Sequence, residues 1–200
     1  MHSHPISHEM ISEIFIHIRI IIGIILGLAI SRLLTGVARF VQHPSYEIIY
    51  PIHLAWVGFL LLAVVHFWWF EFYLHWISVW RFETYFFIIF YASLYFLATT
   101  LLFPDHMEEY TGYRDYFMSR RGWFFGIMAL IFLVDIGDTL LKGRDHFHSF
   151  GIEYPIRTVI LVGGSVVAMF TRNQRYHGAF VTLVLVYEIV FVVWHYAVLN

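Results

Sequence analysis

The chain has 200 residues, 60% of them hydrophobic and only 13% charged, with a net charge of −2, a mean hydropathy of +0.71 and no cysteine. A soluble domain of this size has too little interior to hide so much apolar surface, so a lipid bilayer is the expected partner. Disulfides, thiolate metal sites and cysteine nucleophiles are excluded, and without a basic stripe nucleic acid is not an expected partner.

Apolar runs of about 20 residues are long enough to cross a hydrocarbon core as helices. The expected fold is all-α: a polytopic bundle of six transmembrane helices forming one domain over residues 1–200. The helices are placed at about 13–40, 50–76, 84–103, 121–142, 154–171 and 175–198.

The segment MHSHPISHEMISE ahead of the first run carries no Lys or Arg and shows no cleavage pattern. The first run is therefore expected to remain as a membrane helix, and His2, His4 and His8 to sit in a solvated tail. Along helix 1, Arg19, Gly23, Gly27, Ser31, Thr35 and Arg39 recur every four residues as a continuous ridge. The step from Gly23 to Gly27 lets a neighbouring backbone approach closely, within the bundle or at a subunit contact of a homo-oligomer.

His43-Pro44-Ser45 separates helix 1 from helix 2. Helix 2 carries His53, His66 and Glu71, with an aromatic run from His66 to Tyr73 that reads either as a packing patch or as a ligand surface. His53 and His66 are thirteen apart, a spacing that resembles membrane cytochromes with two stacked haems. The answering pair, His177 and His195, is eighteen apart and does not match both levels, which leaves only a single haem between His66 and His195 open. His66 and Glu71 are five apart and point in different directions.

Pro104-Asp105 stops helix 3. Beyond it, Tyr110, Tyr113, Tyr116 and Phe117 alternate with Glu108, Glu109, Arg114 and Asp115 in a pattern that predicts a short interfacial helix over 107–119. Helix 4 holds Asp135 and Asp138 on one face and ends at Lys142-Gly143-Arg144-Asp145. Helix 5 begins near Pro155, and Gly163-Gly164-Ser165 is a packing feature, lacking the Lys and strand context of a nucleotide loop. Helix 6 follows the polar turn at 171–175 and carries Glu188 and His195 seven apart on a shared face.

The odd-numbered connections hold Arg39, Arg114, Arg120, Arg121, Arg172 and Arg175, against Arg81, Lys142, Arg144 and Arg157 on the other side. The positive-inside rule places the richer set in the cytoplasm and both termini outside. Trp76, Trp80 and Trp194 then belong to the outer interface and Trp123 to the inner one. At about 1.5 Å of rise per residue, His66, Glu71, Asp135, Asp138, His195 and Arg19 fall in the outer half, with Glu188 nearer mid-depth. Arg32 is the main charge of the inner half.

Ionisable residues inside such helices are costly in lipid and face protein or water. Three readings of the carboxylates compete. They are structural ion pairs countered by Arg19 or Lys142, or a proton or cation site in a water-filled cavity. Alternatively, Asp135, Asp138, His66 and His195 hold a metal, although their spacings match no ligand motif.

The leading functional expectation is a channel or transporter for protons or a small cation. Asp135 and Asp138 would bind the cation, Arg19 and Arg32 supply counter-charge, and Glu188, Glu71, His66 and His195 line the path. The histidines would make such a path pH-sensitive. The alternative is a membrane sensor or accessory subunit whose polar layer only fixes packing, and the third is a haem- or metal-dependent membrane oxidoreductase. No cofactor is predicted, with haem or a divalent metal left open. Helix 6 has no Lys for a retinal Schiff base, and neither a TVGYG filter nor a regular Arg series is present.

Overall fold

The structure, a computed structural model, describes residues 8–43, 49–77, 80–143, 147–148 and 150–195, with the side chains of 8–12, 75–76 and 195 outside the description. Its main elements are α1 (His8–Gln42), α2 (Pro51–Phe70), a 3-10 turn (Glu71–Trp76), α3 (Phe82–Thr100), α4 (Tyr113–Leu141), α5 (Glu153–Phe170) and α6 (Gln174–His195). All six α-helices are long and apolar enough to cross a membrane.

Two boundaries differ from expectation. The second run does not continue as an α-helix to residue 76, because the backbone tightens to a 3-10 turn after Phe70. With three residues per turn, Glu71 and Leu74 eclipse one another, and both are buried. The region 107–119 is not a separate helix. Residues 107–112 form turns, and residue 113 onward is already the first turn of α4. The amphipathic pattern there belongs to an extension of α4, and Tyr113, Tyr116 and Phe117 face the bundle.

The helix α2 is the hub, packing against α1, α3, α4 and α6. Around it, α1 lies mainly on α3, and α4 lies on both α3 and α5. At mid-bundle the Trp56 indole is fully buried, with the rings of Phe59, Phe124, Phe125 and Phe180 centred 5.3–5.7 Å away. Small residues open the tightest contacts: Phe103 packs flat on Gly36, Phe180 on Gly164, and Trp68 on Gly23. Gly27 and Gly163 face open space, so the small-residue ridge of α1 meets its neighbour at Gly23 and turns away from it at Gly27.

The outer surface is inverted relative to a water-soluble bundle. Ile16, Ile20, Ile24 and Leu28 form an exposed stripe on α1, and Leu183, Val186, Val190 and Val193 do the same on α6. Charges lie inside instead: Glu71, Asp138 and Lys142 are among the buried residues. Trp123 and Trp194 are exposed near opposite ends of the bundle.

Candidate functional site: a buried acid–base layer

The polar layer begins where α4 ends. Gly143, with φ of +127°, takes the backbone out of the helix in a conformation only glycine adopts freely. Lys142 caps the C-terminus, where a cation complements the helix dipole, and its amide donates to the Asp138 carbonyl. Its side chain folds back along the helix. The ammonium donates to Asp138, one turn earlier, and to Glu71 Oε1 at 2.8 Å from the 3-10 turn after α2. The Phe70 ring covers the same ammonium, its centroid 3.8 Å away.

The three side chains are 0–2% exposed. Two carboxyl groups thus share one lysine in a water-excluded pocket, and among the described residues Glu71 Oε2 and Asp138 Oδ1 have no hydrogen-bond partner.

A second cluster lies one turn deeper. Arg157, on the second turn of α5, donates to Asp135 Oδ2 at 2.7 Å. The Tyr154 hydroxyl donates to the same oxygen at 2.8 Å and meets Thr139 Oγ1 at 3.0 Å. Tyr91 reaches Asp135 Oδ1 from α3 at 3.2 Å, with the Tyr95 hydroxyl 3.5 Å behind it. Rings of Tyr154, Tyr187 and Phe191 lie against the Arg157 guanidinium. On the opposite wall, His66 Nδ1 and Glu188 Oε1 are 2.6 Å apart, joining α2 to α6.

Two small cavities separate these walls, of about 40 and 60 Å³, and His66, Tyr91, Tyr95, Asp135 and Arg157 line both. Each is large enough for one or two waters.

The structure brings His66 and Glu188 together, and Glu71 and Asp138 together through Lys142. It separates Asp135 from Asp138, giving each its own cation. Arg19 lies 4.3 Å over the Phe72 ring, because the backbone of α1 packs on α2, α3 and the 3-10 turn, and α1 meets α4 at the other end of the bundle, where the Phe40 ring lies 4.7 Å from that of Tyr113. The side chain of His195 is outside the described residues, as are His2 and His4. Among the described residues, no three His, Asp or Glu side chains converge as a metal-ligand set.

Arg157 and the tyrosine hydroxyls were not singled out by sequence reasoning. The available signal was Arg157 one turn beyond Glu153, a level that an α4–α5 hairpin brings beside Asp135.

At the other end of the bundle, Arg32 is not a partner of the acid layer. It donates to the Phe103 carbonyl at 2.8 Å and to Asp105 at 2.5 Å. His53 bonds the Leu102 carbonyl at 2.7 Å, Arg39 that of Pro104 at 3.3 Å, and Tyr116 that of Leu101 at 3.0 Å. Four consecutive carbonyls past the end of α3 are thus each tied by a side chain from another helix. The hydrogen bond and charge of Arg32 hold the Asp105 carboxyl below the usual aspartate range.

Compared with known proteins, the chain matches no family model, no curated protein and no solved structure.

Proposed function

We propose that this chain is an integral, multi-pass membrane protein that moves protons through the buried acid–base layer. The observation that carries this reading is the charge count. Glu71, Asp135, Asp138 and Glu188 are four carboxyl groups facing two permanent cations, Lys142 and Arg157. Among the described residues two negative charges remain when His66 is neutral, in surroundings where unbalanced charge is costly. Two protons neutralise them. Interacting sites of this kind take up and release protons as a unit.

The dimensions favour a proton over a metal cation. Calcium takes six to eight oxygen ligands and magnesium keeps a shell of waters. Here Lys142 and Arg157 already occupy carboxylate oxygens, and the cavities hold only a water or two. His66 faces Asp135 across those cavities, and Tyr154 links Asp135 to Thr139, the neighbour of Asp138. By the positive-inside rule this layer lies in the outer leaflet, with both termini outside.

A second reading is that the layer only fixes helix packing in an accessory or sensor protein. It is favoured by the closed aromatic cluster around Trp56, which stands between the acid layer and the opposite end.

Proteoliposomes with a trapped pH-sensitive dye and an imposed potential discriminate the two. Wild type passes protons, and Asp138→Asn/His66→Gln, folded by circular dichroism and gel filtration, does not. Equal flux from both proteins, or none from wild type, leaves the packing reading in place.

A further inference from the structure

At the end of the bundle away from the acid layer lies a cleft of about 630 Å³ with no part in the proton reading. It sits where three helices begin: α2 after Ile49 and Tyr50, α4 at Thr111 to Asp115, and α6 between Arg172 and Gln174. Each helix is at least 18 residues long, so three positive dipole ends point toward one cleft. Neither Tyr50 nor Gly112, the residues preceding α2 and α4, supplies a side-chain cap. The start of α6 differs, since the Arg175 amide donates to Asn173 Oδ1 at 3.0 Å, and the first-turn amides without an internal acceptor are those of α2 and α4.

Converging helix starts do not make a site alone, but two further observations point to a ligand. The Tyr50 side chain lines the cleft and is only 7% exposed, yet among the described residues its hydroxyl has no hydrogen-bond partner. Burial pushes this phenol up, and the charge of Arg114, which lines the same cleft, opposes the shift. Arg114 and Arg172 both line the cleft, and among the described residues neither has an acid partner. The Gln174 side-chain amide lies against the Arg114 guanidinium. Asp115, also in the lining, accepts from the Thr111 amide at 3.2 Å and leaves the cleft with one net positive charge from Arg114, Arg172 and Asp115.

We infer that this cleft binds a phosphate group, held by Arg172 and Arg114, the Tyr50 hydroxyl and the amides that open α4. Paired guanidinium and backbone donors match the several acceptor oxygens of a phosphate better than the two of a carboxylate. The site faces the Arg-rich end of the bundle, so the phosphate comes from a lipid headgroup or from a soluble compound on that side.

The test uses the full chain in phosphatidylcholine nanodiscs, titrated separately with inorganic phosphate and with dioctanoyl phosphatidic acid, and read as a rise in the thermal unfolding midpoint. Wild type responds to at least one probe. A response to phosphatidic acid alone identifies a lipid headgroup, and a response to both identifies phosphate itself. Arg172→Gln, an exposed and readily tolerated change, weakens the response about tenfold, as expected for loss of one charge-assisted hydrogen bond. Tyr50→Phe, which keeps the ring, weakens it to a lesser degree, whereas Arg175→Gln, on the same end but outside the cleft, does not. The inference is overturned if neither probe stabilises wild type, if Arg172→Gln and Arg175→Gln lose the response equally, or if Arg172→Gln/Tyr50→Phe responds like wild type.

Discussion

Replacing Lys142 with methionine removes the only cation that Glu71 and Asp138 touch among the described residues, while keeping the length and apolar stem of the side chain. Both carboxyl groups are then left in a pocket with 0–2% exposure, and no solvent screening softens the loss. Removing one member of a buried ion pair typically costs about 3–5 kcal/mol. Asp138→Asn is a different perturbation. It leaves Lys142 and Glu71 at 2.8 Å as a balanced pair and loses one charge-assisted bond, a cost of about 1–2 kcal/mol. For a chain of this size each kcal/mol moves the unfolding midpoint by about 2–4 °C. Thermal unfolding in a mild detergent should therefore fall by about 10 °C for Lys142→Met and by about 4 °C for Asp138→Asn. The triple variant Lys142→Met/Glu71→Gln/Asp138→Asn, which has no buried charge left to balance, should recover most of the larger loss. The reasoning fails if Lys142→Met is no worse than Asp138→Asn, or if the triple variant is as unstable as Lys142→Met.

The remaining predictions address packing, topology, and the end of the bundle away from the acid layer. Gly36→Ala and Gly164→Ala drive a methyl group into the rings of Phe103 and Phe180 and should each destabilise by about 1–3 kcal/mol in the same assay. Gly27→Ala and Gly163→Ala, which meet nothing, should be neutral or stabilising by up to about 1 kcal/mol through helix propensity. Single cysteines at Ser119 and Glu83, exposed at opposite ends of the bundle, should label from opposite sides of the membrane, Ser119→Cys only after permeabilisation. Labelling from one side would sink the membrane-spanning arrangement. The Asp105 carboxyl is held low in the folded state, so its link to Arg32 is present above the ordinary aspartate range and is lost as pH falls through the lowered value. A carbon-13 titration should find its midpoint below about 3.9 in wild type and moved back toward that value in Arg32→Gln.

The all-helical class and the six helices long and apolar enough to cross a membrane were legible in the apolar runs, whose length and composition suit lipid as solvent. The sequence by itself also determined depth, because a fixed rise per residue converts position along a helix into height. Glu71, Asp138, His66, Glu188 and Arg19 accordingly gather toward one end of the bundle. Lys142 was legible as a partner of Asp138 because four residues along a helix bring side chains together.

Tertiary structure alone decided which residues meet across helices. Arg19 lies over Phe72, and α1 meets α4 at the far end of the bundle through Phe40 and Tyr113, so the cation beside Asp138 comes from Lys142. Arg157 counted only as a loop charge until the α4–α5 hairpin set it against Asp135. Glu71 turned toward Lys142 only because the backbone tightened after Phe70, a change of winding that no apolar period announces. Periodicity fixes height and face within one helix; rotation about the bundle axis depends on packing between residues far apart in the chain.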